Sequence, residues 1–290
     1  MESRSRPLPV IAYYSTQRLW PLELRAADRD RNNRQEAYRD ALSATSSHEQ
    51  MLGWVRDFSM AEFTAGKPLP QLEGVRAAVV RCVRGAKRFY YDAPLKTLCL
   101  LFEDGRVVPF SRLSDGYRNI VAMVADIAWR AAVLNPELGA RASELAEGVV
   151  LIDEIDLHLH PRWQRTVLAD LRRAFPRLQI ICTTHSPQVI GSARPEWVRV
   201  LRDDGYASAV EHTYGVDSNR LLIDVFHDTD RAEETLGWIA EIRTLIATGM
   251  LDQASGRIDQ LETTLGGEDP EVRLLRWELL EARSDDERPE

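Results

Sequence analysis

Residues 149–154 read Val-Val-Leu-Ile-Asp-Glu, and residues 183–186, about thirty positions later, read Thr-Thr-His-Ser. Four apolar residues before two adjacent carboxylates predict a buried parallel strand that ends in a charged pair. Open α/β sheets bind ligands beyond the carboxyl ends of their strands, and an Asp–Glu pair there suits Mg²⁺ and an attacking water. We therefore expect Asp153 to hold Mg²⁺ and Glu154 to activate water. The alternative is a strand that meets a capped helix, with both carboxylates solvated.

Composition limits the classes of protein that this chain can represent. The 290 residues are 44% hydrophobic and 28% charged, as in ordinary soluble globular proteins, and the formal net charge is −8. This balance argues against a nucleic-acid footprint over the whole surface and leaves room for a local basic groove. The three scattered cysteines form no CxxC pair, which favours a reducing cytoplasm over a zinc ribbon or disulfide framework. We expect a cytoplasmic protein that makes no use of a membrane, because no apolar run reaches membrane-spanning length.

Hydrophobic periodicity divides the chain into an α/β region and a helical region. The pattern over 117–182 alternates helix, strand, helix and strand, which predicts a mostly parallel sheet with right-handed crossovers. A further buried strand is expected at 9–14, a mainly helical insertion at about 25–90, and hairpins at 97–110 and 197–210. We draw the boundary at 215/216, so that 1–215 form the α/β domain and 216–290 a helical carboxyl-terminal extension.

Two further motifs carry chemistry. Ser114, Asp115 and Gly116 directly precede a predicted helix, and a hydroxyl, a glycine and a helix amino terminus together can form an anion site. The alternative is a capped helix, with Ser114 or Asp115 as the cap. His185 follows the second buried strand and can donate a hydrogen bond to a γ-phosphate or a lytic water. The alternative for His185 is a loop imidazole with a structural partner.

The order and spacing of these motifs resemble ABC-type ATPases of the RecF/SMC branch. Leu113–Tyr117 is similar to the signature motif, Val149–Glu154 to Walker B, Asp156–Pro161 to the D-loop region, and His185 to the switch histidine. The resemblance implies the carboxyl-terminal lobe of an ABC-type P-loop NTPase, an α/β fold that uses ATP and Mg²⁺. The resemblance also argues against a metal site at His158 and His160, the His-x-His pair within the D-loop region.

The same resemblance assigns roles to individual residues. Asp153 would hold Mg²⁺, and Glu154 and His185 would be catalytic. Ser114, Gly116 and Asp156 would contact nucleotide at the interface of a homodimer, with Ser114 and Gly116 facing the ATP of the other protomer. The implied function is ATP hydrolysis at that interface, coupled to DNA processing or repair, or to control of a nuclease.

Both ends of the chain resemble a narrower group. Residues 8–14, 214–222 and the helices over 236–282 are similar to the ATPase subunits of Septu-type and retron-linked phage-defence systems. In those systems the ATPase pairs with an HNH nuclease. The resemblance therefore implies antiviral defence, an HNH nuclease partner and, as a further candidate ligand, DNA.

The sequence departs from the ABC pattern at the phosphate-binding loop. These 290 residues contain no GxxxxGK[ST], and Gly66-Lys67 is followed by Pro68 and has Ala61 where the first glycine belongs. Asp115 replaces a signature glycine, and Gln17 is a candidate for the Q-loop glutamine. We expect the P-loop to come from outside this chain, since the family places it before the region that resembles 9–14. A split ATPase, a degenerate subunit acting in trans and a reading frame started too late all remain open.

Two other functions remain in view. One is a non-catalytic module that binds a partner through its acidic helical tail and keeps a vestigial ATPase face. The other is a nuclease of the overcoming-lysogenization-defect type, which needs clustered acids in a Toprim domain after His185. The residues that follow are mostly amphipathic helix, which disfavours the nuclease.

Overall fold

The structure is a computed structural model that describes residues 7–18, 34–43, 48–201, 205, 207–229 and 231–286. The chain divides into two compact units, Met1–Leu221 and Leu222–Glu290, called here the sheet unit and the tail unit. This division falls six residues beyond the boundary drawn from the sequence, inside a short helix at 218–224. Residues 25–33 and 44–47 of the predicted insertion lie outside the described residues.

The strands and helices follow one another as in an α/β protein. The strands are β1 Val10–Tyr14, β2 Ala86–Asp92, β3 Thr97–Phe102, β4 Val107–Pro109, β5 Gly148–Ile152, β6 Leu178–Cys182, β7 Arg199–Leu201 and β8 Ala207–Ala209. The helices are α1 His48–Ala65, α2 Pro70–Cys82, α3 Asp115–Leu134, α4 Ala142–Leu145, α5 Pro161–Gln164, α6 Val167–Ala174, α7 Pro187–Ile190, α8 Ser218–Asp224, α9 Glu233–Ala247, α10 Leu251–Leu265 and α11 Pro270–Asp286.

The three strands β1, β5 and β6 form a parallel sheet in the order β1-β5-β6. This confirms the parallel α/β sheet predicted from the sequence. The side chains of Val10, Ala12, Tyr14, Val150 and Ile152 are buried on one face of the sheet. The opposite face exposes Ile11, Leu151 and Ile181, with 39%, 37% and 51% of their surfaces accessible. One face of the sheet is therefore covered and the other presents apolar side chains.

A second sheet corrects the predicted insertion. Residues 48–82 are helical in α1 and α2, as expected for an insertion over about 25–90, but 86–92 form β2, which pairs antiparallel with β3. Lys87 and Arg88 are exposed while Phe89 is buried, so the strand has only one apolar face and its sequence lacks a continuous hydrophobic run. The second helix of the pattern predicted over 117–182 also divides, at residues 165–166, into α5 and α6.

Helix α3 is buried along almost its whole length and carries an ionic group in its core. The hydroxyl of Tyr14 on β1 donates to Asp126 Oδ2 at 2.7 Å, and Arg130 Nε donates to the same oxygen at 2.8 Å. Arg130 also donates to the carbonyl of Ala37 at 2.5 Å. The Asp126 and Arg130 side chains are 0% and 1% exposed, so this network joins β1 to α3 inside the core.

The tail unit contains three successive helices, α9, α10 and α11, whose buried residues form a core of their own: Ile239, Ile242, Ala254, Ile258, Leu261, Val272, Leu275 and Leu279. Arg276 on α11 pairs with Asp259 and Glu262 of α10. These helices agree with the predicted helical extension. Across the residues described, no helix combines the length and the apolar character needed to cross a membrane.

Candidate functional site

The carboxyl ends of β1, β5 and β6 lie at one edge of the parallel sheet, because Tyr14, Ile152 and Cys182 are aligned in the register. The chain that leaves each strand therefore carries its next residues to the same edge. Residues 15–18 follow β1, 153–156 follow β5 and 183–186 follow β6. The predicted acidic pair and the predicted switch histidine thus leave adjacent strands.

Thr183 joins the acidic pair to β6. Its hydroxyl donates to Asp153 Oδ1 at 2.5 Å and accepts the backbone N–H of Glu154 at 2.8 Å. Its carbonyl accepts the backbone N–H of Ile155 at 2.9 Å. Thr184 donates its hydroxyl to Asp156 Oδ1 in the same way. The two threonines therefore fix the positions of two carboxylates, a role that the sequence analysis missed and that the Thr-Thr pair before His185 signals.

Glu154 occupies an unusual backbone conformation. Its φ is +46°, in the left-handed region that non-glycine residues rarely adopt. Such a conformation costs about 1–3 kcal/mol and persists only where the surroundings impose it. The Glu154 side chain is half-buried and accepts no hydrogen bond among the described residues. The turn thus presents a carboxylate that is held through its backbone and is open to a ligand.

The buried side chain of Arg18 holds this turn through the backbone carbonyls of the turn. The sequence analysis did not identify Arg18 as a site residue. The side chain is 4% exposed, and its guanidinium donates to the carbonyls of Asp153 at 2.5 Å and Glu154 at 2.6 Å. Its Nε donates to Asn119 Oδ1 at 3.0 Å. Burial lowers the pKa of Arg18, while the carboxylates of Asp153, Glu154 and Asp156 oppose that effect. Its neighbour Gln17, the candidate Q-loop residue, has an exposed side chain at the same edge.

The amino-terminal part of α3 contacts the turn after β5. Asn119 Nδ2 donates to the carbonyl of Leu157 at 3.0 Å. Gly116 lies against the backbone of His158, so closely that a Cβ on Gly116 would stand 2.5 Å from the His158 carbonyl oxygen. Close packing against the D-loop-like segment therefore requires a glycine at position 116. This requirement is independent of any contact between Gly116 and nucleotide.

Replacement of Gly116 by alanine should force α3 and the D-loop-like segment apart. The added Cβ would collide with the backbone carbonyl of His158, which cannot rotate aside as a side chain can. We expect a loss of about 1–3 kcal/mol in the free energy of unfolding, measured by urea denaturation. Gly237 in α9 provides the control, since its added Cβ would meet nothing within 4 Å. Gly237→Ala should be neutral or stabilising by up to about 1 kcal/mol. Equal stabilities of Gly116→Ala and the wild type would contradict the contact.

Of the other residues in the signature-like motif, Ser114 is free to contact an anion, whereas Asp115 carries a negative charge. Ser114 occupies the N-cap position of α3, but its hydroxyl makes no capping hydrogen bond and is exposed. Asp115, which stands in place of a glycine, pairs with Arg118 one turn along the helix. This ion pair offsets the negative charge that Asp115 would otherwise place near a phosphate. The capped-helix alternative therefore lacks its side-chain bond at Ser114.

The histidines and the cysteine near this edge differ in their surroundings. His185 is exposed, and the described residues offer its imidazole no hydrogen-bond partner, so the structural partner of the alternative interpretation is not found there. His160 Nδ1 accepts the backbone N–H of Arg162 at 3.2 Å and caps α5. Burial raises the pKa of Cys182 to about 11, so its thiol is protonated at neutral pH and is no nucleophile.

The oxygen donors at this edge fit Mg²⁺. Asp153, Asp156 and the hydroxyls of Thr183 and Thr184 are hard ligands, and Mg²⁺ commonly binds through one or two carboxylates, with water and phosphate completing its shell. Among the described residues there is no group of three or more acidic, histidine or cysteine side chains that would hold a metal unaided. A metal here would therefore need oxygens from a ligand such as a phosphate.

Comparison with known proteins agrees with this architecture. A parallel α/β sheet with carboxylates at its strand edge is expected of a P-loop NTPase fold, and AAA domains have that fold. The family described as "AAA domain, putative AbiEii toxin, Type IV TA system" matches residues 8–191. The match covers more than half of the chain, from before β1 to the end of α7. The chain therefore belongs to this AAA-domain family.

Curated relatives match over shorter segments. The retron Vc95 probable ATPase of Vibrio cholerae serotype O1 biovar El Tor is 34% identical over 159 residues, 52% of this chain and 30% of the relative. The retron Ec83 probable ATPase of Escherichia coli is 38% identical over 123 residues, 42% and 22% of the two chains. Septu protein PtuA of Bacillus mycoides is 46% identical over 81 residues, 26% and 10%. This chain thus spans less than a third of the length of these relatives.

Proposed function

We propose that this chain supplies part of a composite ATP-hydrolysing site of ABC type, of the RecF/SMC branch, formed between two protomers. Hydrolysis there would control a partner nuclease, of HNH type, in defence against phage. The observation that carries the proposal is the strand edge at which Thr183 and Arg18 hold Asp153 and Glu154. The retron and Septu relatives support the setting in defence.

Each residue at the strand edge has a separate role in this proposal, which follows from its hydrogen bonds and exposure. ATP with Mg²⁺ would supply the scissile phosphate and the positive charge that stabilises it. Asp153 and Thr183 would orient the metal through their oxygens, and the free carboxylate of Glu154 would accept a proton from water. The exposed imidazole of His185 would donate a hydrogen bond to phosphate.

The signature-like face acts toward the second protomer in this proposal. The exposed Ser114 hydroxyl and the amino terminus of α3 form a surface for an anion, and Gly116 fixes that surface to the segment after Asp156. A change in the bound phosphate would then be transmitted from the carboxylates to α3 through this packing. ATP between two copies of the chain would use both faces at once.

The phosphate-binding loop comes from outside these 290 residues in this proposal. The outer face of the parallel sheet supports that idea, because parallel sheets are normally covered on both faces while Ile11, Leu151 and Ile181 are exposed. Strand β6 pairs only with β5 among the described strands, so its other edge can accept a further strand. A strand, glycine-rich loop and helix would cover both surfaces and bring backbone amides and a lysine to the phosphates.

The alternative function is a non-catalytic module that binds a partner. The tail unit favours it, since α11 exposes Trp277 and Leu280 with 58% and 65% of their surfaces accessible. In that case the strand edge would be a vestige and the helical tail the working surface. ATP turnover separates the two functions.

The test mixes the chain with a polypeptide that carries a strand, the GxxxxGK[ST] loop and a helix, and measures phosphate release from ATP. We expect turnover only in the mixture. Glu154→Gln should reduce it at least about 100-fold while ATP remains bound, because the general base is lost. Glu147→Gln, a change at a carboxylate that is 75% exposed and lies just before β5, is the matched control and should leave turnover unchanged. Absence of ATP binding in every mixture would favour the non-catalytic module.

A further inference from the structure

The segment from residue 162 to residue 199 is strongly basic within an acidic protein. It contains seven arginines and only two carboxylates, while the whole chain has a net charge of −8. All seven arginine side chains are exposed: Arg162, Arg165, Arg172, Arg173, Arg177, Arg194 and Arg199. Such segregation of charge in a folded unit creates a local positive potential that the net charge conceals.

The side chains of two of these arginines stack on the ring of Trp197. The guanidinium carbon of Arg172, on α6, lies 4.1 Å from the centre of the Trp197 ring, and that of Arg194 lies 5.4 Å from it. The indole is 44% exposed. Stacking on an aromatic ring restricts a guanidinium while its N–H groups, which lie in the plane of the guanidinium, remain free to donate. Two long side chains are thus held in place at the surface before any ligand arrives.

Few carboxylates neutralise this group, called here the Arg–Trp surface (Arg172, Arg194 and Trp197). Arg172 forms no ion pair among the described residues, and Arg194 reaches Glu196 only at 3.8 Å, with both side chains more than 60% exposed. Pairs of this kind contribute about 0–1 kcal/mol and exchange readily for another anion. The donors of the Arg–Trp surface are therefore available to an external ligand.

We propose that the Arg–Trp surface binds the phosphodiester backbone of a nucleic acid. Guanidinium forks match phosphate oxygens in pairs, and Arg172 and Arg194 present two such forks at one aromatic ring. The exposed part of the Trp197 ring offers a stacking surface to an unpaired base, which an acidic peptide would not use. This binding requires no step of ATP hydrolysis and uses none of the residues assigned to the proposed ATPase site.

The test is fluorescence anisotropy of the full chain with a labelled 30-nucleotide single-stranded DNA, and with the matching duplex, at several salt concentrations. We expect saturable binding that weakens linearly in log–log plots against salt. Arg172→Glu/Arg194→Glu should weaken binding at least about ten-fold and reduce the salt slope by about two, one for each lost phosphate contact. Arg172→Lys, which keeps the charge and loses the stacked fork, should weaken binding less and retain the slope.

Arg273→Glu is the matched control, a charge reversal at an arginine of α11 that is 61% exposed and pairs with Glu268. It should change the affinity less than about two-fold on the same measurement, because its guanidinium already pairs with Glu268 and stacks on no aromatic ring among the described residues. Circular dichroism of each variant confirms the fold. Three results would overturn the proposal: no binding of either DNA at low salt, equal weakening by the Arg273 control, or displacement of DNA by polyglutamate at equal charge concentration.

Discussion

Arg130→Met should lower the free energy of unfolding of the sheet unit by about 3–5 kcal/mol. The substitution leaves Asp126 fully buried with only the Tyr14 hydroxyl as a partner, since Oδ1 of Asp126 has no hydrogen bond among the described residues. Burial, and then the charge of Asp126, raise the pKa of Tyr14 well above its ordinary value, so the phenol keeps its proton for the hydrogen bond to Asp126 but supplies no positive charge. Urea denaturation followed by circular dichroism measures the loss.

The double variant Asp126→Leu/Arg130→Met is the control for this prediction. A buried ion pair replaced on both sides by apolar groups is often neutral or stabilising, because both desolvation penalties disappear with the pair. We expect the double variant to recover most of the stability lost by Arg130→Met. A single variant within about 1 kcal/mol of the wild type would show that water reaches Asp126, contrary to its complete burial.

The sequence alone predicts the parallel sheet because strands of parallel sheets are rich in apolar residues: β5 is a continuous apolar run, and β6 is apolar except for Gln179. It does not predict β2, whose exposed Lys87 and Arg88 interrupt the hydrophobic pattern. The division of the helix after residue 164 is hidden for a related reason. Its apolar spacing continues through the break, and only the backbone hydrogen bonds of Arg165 and Thr166 show the interruption.

The site follows the same rule. Asp153, Glu154 and Asp156 are predictable because strand order brings local motifs to one edge, so a short stretch of sequence carries most of the information. Arg18 and Asn119 are not predictable, since their partners lie 135 and 38 residues away in the chain. A buried arginine in a mostly polar segment gives no periodic signal. Its function depends on carbonyl oxygens, which every residue possesses.

Arg18→Met should loosen the turn that carries Glu154 and reduce ATP turnover of the composite site by about 100-fold, a loss typical of a misplacement by about 1 Å. Arg18 is a positioning residue: it touches the Asp153 and Glu154 carbonyls and Asn119 rather than their carboxylates. Without the Arg18 guanidinium, the Asp153 carbonyl loses its donor, and the hydrogen bond from the Glu154 backbone N–H to Thr183 opposes relaxation of Glu154 from its φ of +46° with less support. We expect ATP affinity to change less than about three-fold, because the phosphate-binding loop does not depend on this turn.

Hydrogen–deuterium exchange of residues 153–158 tests the positioning role without ATP. Amide exchange there should accelerate at least about ten-fold in Arg18→Met, because the turn opens locally before the unit unfolds. Arg112→Met, which removes an exposed arginine just before α3, should leave it unchanged. Arg18→Lys should resemble Arg18→Met in both exchange and turnover, since an ammonium cannot reach two carbonyls and an amide as a planar fork does. Full recovery in Arg18→Lys would show that charge near the carboxylates, rather than geometry, is what Arg18 provides.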